Sequence, residues 1–249
     1  MVKIETREVF TSAISDVVAS VSQKSNQHML NVVESIKEKY LQNPLVSLNE
    51  ITTSIEDGYS VAEINVVNKD GIIVNSTHPE YIGFDMTQSN QSNEFMVLTE
   101  GQITSFVQDF RPMGNDSAIM RKYAGVSLAD GGFLQVGYNA DQFHKMLDEF
   151  VIDVTKNRHV GTGGFVAVCD ENMNLVIDDA YAGMHISSIG IEPTDELERG
   201  ETATYLYYAD IINAETNFSE EYMYVFTFVE GYCIIAAMPE SEAVFMRDA

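Results

Sequence analysis

The first forty residues place their apolar side chains in steps of three and four. From Glu5 to about Leu41 there is no glycine or proline. Phe10, Ile14, Val17, Val21, Met29, Val32, Ile36 and Tyr40 fall on one face, with a gap at Lys24–Ser25. This pattern predicts one long amphipathic helix, stopped by Pro44. At ~1.5 Å per residue it would be roughly 55 Å long, more than a small domain needs. A helix of this kind links parts of a protein or pairs with another helix. "SLNEITTSI" then predicts a short helix, with Ser47 and Glu50 spaced as a capping box.

From Ala62 the period falls to two. "AEINVVN" and "GIIVNST" read as a hairpin through Lys69-Asp70-Gly71. A polar stretch of short helices and loop follows. Three strands come next, Ile103–Phe110, Arg121–Leu128 and Gly132–Asn139, the last two joined by a tight turn at Ala129-Asp130-Gly131. Ala140–Asn157 reads as an amphipathic helix. The order then recurs. Gly164–Asp170 and Asn174–Asp178 form a hairpin, a polar region runs to Glu201, and strands are expected at Thr202–Asp210, Tyr222–Val229 and Tyr232–Met238. A last helix starts at Pro239.

The halves can be superposed in sequence. Val67–Val74 lies over Cys169–Val176 at an offset of 102, Tyr81–Met86 over Tyr181–Ile186 at 100, and Gly132–Gln142 over Gly231–Ser241 at 99. Few residues are identical, so order and spacing carry the repeat. A repeat of this size indicates duplicated domains rather than a solenoid. The boundaries follow: 1–58 helix and connector, 59–157 first lobe, 158–249 second lobe with the C-terminal helix.

Charge narrows the partners. The 249-residue chain carries 38 Asp and Glu against 14 Lys and Arg, a formal net charge of −24. A nucleic-acid binder must neutralise phosphates, so no nucleic acid is expected as a partner. Adsorption to anionic lipid is disfavoured for the same reason. No apolar run reaches the ~20 residues of a membrane span. The two cysteines, Cys169 and Cys233, sit in strand-like runs without a CxxC or a nearby histidine; buried free thiols and a cross-strand disulfide both fit, and a metal site does not.

Taken in order, "NKDGIIVNSTHPEYIGFDM", "RKYAGVSLADGGFLQVGYNADQF" and "EGYCIIAAMPESEA" give the chain a resemblance to the double Cache family, tandem PAS-like extracytoplasmic sensor domains of bacterial membrane receptors. The resemblance covers nearly the whole chain. It implies an α+β fold: a long N-terminal helix followed by two PAS-like lobes, each a five-stranded antiparallel sheet with a helical insert. It also implies a membrane-distal first lobe that binds a small molecule, a helix shift relayed across the membrane, and flanking spans outside this chain that anchor the full protein. Members are joined to histidine kinases, chemotaxis receptors, cyclic-dinucleotide enzymes or serine phosphatases. The alternative is a non-sensing ectodomain that forms a homodimer through the N-terminal helix or binds a protein.

No enzyme signature is present: no GxSxG, P-loop, HExxH or Rossmann fingerprint. "GTGGF", Gly161–Phe165, precedes a strand and reads as the turn that opens the second lobe. The five histidines are scattered. Neither a cofactor nor a catalytic residue is expected. In a PAS-like lobe the ligand lies between sheet and insert, which makes Asp109, Arg111, Arg121, Tyr123 and Tyr138 on the strands, and Tyr81 and Phe95 in the insert, the candidate ligand-binding residues. A guanidinium fork suits a carboxylate ligand; ion pairs with Asp109 or Asp116 would equally occupy the arginines. Amino-acid-binding members of the family carry an Arg followed shortly by Trp in the insert. This chain has no Trp, and its insert from Thr77 to Ile103 has no Arg. The second lobe offers Tyr181, His185, Tyr205, Tyr207 and Asp178, where packing is the competing role.

Overall fold

The computed structural model describes residues 2–43, 46–53, 61–113, 119–156, 158–177, 180–203, 205–212 and 219–242. The order is α1 (Val2–Gln42), α2 (Leu48–Thr53), β1 (Val61–Val67), β2 (Ile73–Ser76), α3 (Asn90–Asn93), β3 (Ser105–Val107), β4 (Arg111–Pro112), β5 (Met120–Ser127), β6 (Phe133–Asn139), α4 (Ala140–Thr155), β7 (Phe165–Cys169), α5 (Asp195–Glu198), β8 (Tyr207–Ile212), β9 (Ser219–Val229) and β10 (Tyr232–Pro239). Short 3₁₀ turns surround α3 and precede α5. The fold is α+β, with a long N-terminal helix and two antiparallel sheets.

The chain divides into two compact units: residues 24–146, and residues 1–23 together with 147–249. The division passes through α1 and α4, so each helix gives residues to both units. In the first unit, α1 buries Met29, Val32, Val33 and Ile36. In the second it buries Phe10, Ile14, Val17 and Val21, and Asp16 pairs with Arg158 at 2.9 Å. Ser25 fills the gap in the apolar stripe and is fully buried. The box at α2 is closed as its spacing predicts: the Glu50 amide donates to Ser47 Oγ at 3.1 Å, and the Ser47 amide to the Glu50 carboxylate at 3.2 Å.

The first unit's sheet has the order β2-β1-β6-β5-β3, with β4 also on β5. The expected strand Ile103–Phe110 is shorter, because only Ser105–Val107 pairs with β5 before the chain leaves the edge and returns as β4. Pro112, which has no N–H, sits on that edge. The other unit's sheet is four-stranded among the described residues, β7-β10-β9-β8. Its expected second strand, from Asn174, is reduced to single bridges, Cys169 to Leu175 and Asn174 to His185. The expected C-terminal helix beyond residue 242 and Asp178 lie outside the described residues.

The duplication shows in backbone detail. Asn68 Oδ1 accepts from the amides of Asp70 and Ile72 (3.0 and 2.9 Å), and Asp170 Oδ1 accepts from those of Asn172 and Asn174 (2.9 and 2.8 Å). A side chain that tolerates turns and supplies an acceptor folds both hairpins. Beyond them, Gly83 N donates to Ile73 O and Gly183 N to Leu175 O, both at 2.8 Å. Asp85 and His185 each cap the next 3₁₀ turn.

Register corrects one part of the sequence superposition. Phe133 pairs with Val67 on one side and Ser127 on the other, and Cys233 pairs with Cys169 and Phe228. The last strand of each sheet therefore matches at an offset of 100, not 99. The cause is the preceding turn: Glu230-Gly231 makes a two-residue connection, whereas the first lobe bridges Ser127 and Phe133 with a longer one. Cys169 and Cys233 face each other as buried free thiols. Burial, with Asp170 nearby, pushes the Cys169 thiol up to about 12.

At the opening of the second lobe, the Glu242 carboxylate accepts from the amides of Thr162 (2.8 Å) and Gly163 (2.5 Å). The GTGG turn thus receives an anion from the chain itself. Glu242 lies at the end of the described chain, just past β10.

Candidate functional site

The three central strands of the first unit set residues side by side on the face that meets the insert. One row is Glu63, Gly137 and Tyr123, and the next is Asn65, Gln135 and Gly125. In a third, Val67, Phe133 and Ser127, the first two join an apolar cluster. On it sits a plug from the insert: Phe95, Leu98 and Met86 cluster with Val67, Ile73, Tyr123 and Phe133. Phe95 stacks on Phe133 at 6.1 Å between ring centroids and meets Phe106 edge-on at 5.0 Å.

The two glycines permit this arrangement. A Cβ at Gly137 would lie 2.7 Å from the Tyr123 ring and 2.9 Å from Glu63 Cγ. One at Gly125 would lie 2.9 Å from Leu98 and 3.0 Å from Phe95. Each marks a close approach inside a strand.

Beside the plug is a pocket of about 360 Å³. Its polar wall comes from Glu63, Asn65 and Gln135 on the sheet and from Glu80, Ser89, Gln91 and Ser92 on the insert. Ile73, Phe84, Met86 and Met113 supply apolar surface, and Tyr81 and Tyr123 aromatic surface. That mixture is typical of small-molecule sites.

The sheet wall is a network. Asn65 Nδ2 donates to Glu63 Oε1 and Gln135 Oε1, both at 3.2 Å, and Ser76 Oγ donates to Asn65 Oδ1 at 2.7 Å. Glu63 is 3% exposed. Its Oε2 lies 3.7 Å from Arg121 Nε but accepts no hydrogen bond, and Arg121 Nε and Nη1 donate none. The Tyr123 hydroxyl is raised well above its ordinary pKa by burial, and further by the charge and hydrogen bonding of Glu63. On the insert, His78 stacks on Tyr81 at 5.1 Å and approaches Glu80 at 3.2 Å. Backbone hydrogen bonding, aided by His78, lowers the Glu80 pKa.

The seven sequence candidates separate. Tyr81 and Tyr123 line the pocket. Phe95 is fully buried in the plug. Tyr138 is on the opposite face of the sheet, near His28 (6.2 Å) and Phe143 (6.1 Å). Asp109 is exposed. Arg111 and Arg121 are direct partners across β4 and β5, and each takes its own carboxylate. Arg111 Nη1 is 2.7 Å from Glu94 Oε1, and Gln108 holds the other Glu94 oxygen at 2.9 Å. Arg121 turns to Glu63. Among the described residues neither arginine, and no lysine, lines the pocket. Sequence reasoning missed Glu63, Asn65 and Gln135, although polar residues alternating with Ile64 and Val66 were the available signal. Among the described residues no group of three or more His, Cys, Asp or Glu is placed to hold a metal ion.

In the second lobe the candidates do not share one role. Tyr207 lies against Tyr224 (5.6 Å) and Phe226 (5.4 Å), His185 caps a turn, and Tyr205 is 69% exposed.

No protein-family model and no curated protein matches the chain. Similar solved structures include the ligand-binding domain of Mlp24 with asparagine, at 12% identity and a TM-score of 0.44, covering 100% of this chain and 99% of that one. The periplasmic domain of RsbU from Chlamydia trachomatis is similar at 13% identity and TM-score 0.44, covering 98% and 97%. The sensory domain of the Campylobacter jejuni chemoreceptor Tlp3, with isoleucine bound, gives 11% and 0.41, covering 97% and 93%. At such identities and scores, the architecture rests on this chain's own strand order and register. That architecture, a long helix followed by two antiparallel α+β lobes, is the one implied by the double Cache resemblance of the sequence.

Proposed function

We propose that this chain is the extracytoplasmic ligand-sensing domain of a membrane signalling protein, binding a small molecule in the pocket of residues 24–146 and performing no chemistry itself. The observation that carries this reading is the pocket: about 360 Å³ between a sheet and a helical insert, with a buried, hydrogen-bonded polar row on the sheet wall and apolar, aromatic and further polar side chains around it. Such a site recognises a ligand by a few placed polar groups and holds it by area. The relay would be a displacement of α1, one continuous helix from Val2 to Gln42 that belongs partly to the pocket's unit.

Thermal-shift screening of the purified chain against a metabolite library tests this, with hits confirmed by calorimetry. A true ligand at a hundred times its Kd should stabilise the chain by about 2.7 kcal/mol. Ser89→Trp, which places a large ring at the pocket wall, should abolish the shift without unfolding the chain. A library of amines, carboxylates, sugars and nucleosides that yields no stabiliser sinks the reading.

A further inference from the structure

The pocket's electrostatics point to a class of ligand. Resting on the sensing reading, we infer that the pocket takes a compact organic amine without a carboxylate, whose N–H-bearing cation docks on Glu63.

Glu63 presents a buried carboxylate that is short of donors. Asn65 Nδ2 donates to Oε1 and the Tyr123 hydroxyl also acts on the carboxylate, while Oε2 itself has no hydrogen-bond partner and the residue is 3% exposed. A carboxylate has about four acceptor positions, and leaving them empty away from water is costly. Arg121 supplies charge from 3.7 Å without closing a hydrogen bond. Because Glu63 lines the pocket, an ammonium or amidinium bound there would bring a further charged donor to its carboxylate.

The charge balance has the same sign. Glu63 and Glu80 line the pocket, and Arg121 stands behind Glu63. Arg121 offsets the Glu63 charge without hydrogen-bonding it, Glu80 adds an exposed, solvent-screened negative charge, and no lining side chain among the described residues opposes a cation. A carboxylate on the ligand would find no lining lysine or arginine among the described residues, and it would meet Glu63 and Glu80 instead. The remaining wall suits the body of such a ligand. Ile73, Met86 and Met113 provide apolar contact, and the Tyr81 and Tyr123 rings can face a cation.

Calorimetric titration of the whole chain with three probes tests the inference: 2-phenylethylamine, 3-phenylpropionate and L-phenylalanine. The amine should bind at least tenfold more tightly than either carboxylate-bearing probe. Glu63→Gln should weaken it by about ten- to a hundredfold, the range of a charged hydrogen bond. Glu80→Gln, at an exposed residue already held by His78, should change it by less than about threefold. Equal or tighter binding of 3-phenylpropionate overturns the inference, as does an unchanged amine affinity in Glu63→Gln. The wild-type comparison decides the matter even if that variant does not fold. If none of the probes binds, the inference falls. If carboxylates or neutral compounds from the wider library then bind, and Ser89→Trp blocks them, the sensing reading survives without it.

Discussion

The two lobes share one scaffold and differ in what they place on the insert face of the sheet. In the first, the rows are Glu63-Gly137-Tyr123 and Asn65-Gln135-Gly125. In the second, the same positions hold Phe165-Ala237-Tyr224 and Ala167-Ile235-Phe226. The polar triad Glu63, Asn65 and Gln135 becomes Phe, Ala and Ile. Gly125, whose missing side chain admits Phe95 and Leu98, becomes Phe226, which is 1% exposed and packed with Tyr207 and Tyr224. The diagonal neighbours Glu63 and Arg121 become Phe165 and Tyr222, whose rings lie 5.9 Å apart. One copy puts a polar wall where the other puts hydrocarbon, on matching strands. A pocket in this fold is thus decided by a few inward positions, not by topology.

Substitutions that exchange these positions test the contrast. The largest loss should come from Phe226→Ala, which removes a buried ring and leaves a void. A cost of about 3–5 kcal/mol is expected in denaturant unfolding, and a loss below about 1 kcal/mol would show that this lobe is not filled as described. Next is Arg121→Met, which strands Glu63 as a buried charge and should cost about 3 kcal/mol or more. The double variant Glu63→Leu with Arg121→Met should recover most of that, because an apolar pair is what the second lobe uses. If the double variant is worse than the single, the pair is a net stabiliser. Gly125→Ala should cost about 1–3 kcal/mol, since its Cβ falls 2.9 Å from Leu98 and the plug must shift.

The smallest effect belongs to Arg111→Ala. Its pair with Glu94 is more than one-third exposed on both sides, so about 1 kcal/mol or less is expected at neutral pH. That contribution should depend on pH. Burial raises the Glu94 pKa, but hydrogen bonds from Arg111 and Gln108 and the Arg111 charge outweigh it, and the folded-state pKa is lowered. A lowered folded pKa gives stability that is present above the unfolded value and lost as pH falls through the folded value. Wild type and variant should therefore differ at pH 7 and converge in melts taken well below pH 4. A gap that persists there would mean that packing, not charge, is being measured.

Much of the fold was legible because local physics wrote it. The three-four spacing of Phe10 through Ile36 is a buried stripe, and Ser47 and Glu50 cap as their spacing requires. Both hairpins were marked by turn residues. The site was harder. Tyr81 and Tyr123 could be placed by their position in the lobe, but the arginines drew attention as scarce cations in an acidic chain. Their partners, Glu94 and Glu63, are 17 and 58 residues away, and nothing local announces those pairings. Gly125 and Gly137 inside strands, and Glu63 and Asn65 two apart in an apolar run, were the legible traces of a polar wall. They gain that meaning only once β1, β6 and β5 are known to lie side by side. The one-residue error in superposing the last strands has the same origin, since turn length sets register and weak identity cannot reveal it.

Glu242 has a mechanical consequence. Its carboxylate grips Thr162 and Gly163, about eighty residues earlier in the chain, and so closes a ring around the second sheet. The strands that end and begin at that ring, β10 and β7, are neighbours in the same sheet. A pull on the chain past residue 242 would be shared between β10 and the turn ahead of β7, rather than peeling one strand from its end. Force entering there meets two anchors in parallel, the β10 ladder and the hydrogen bonds of Glu242 to the turn ahead of β7.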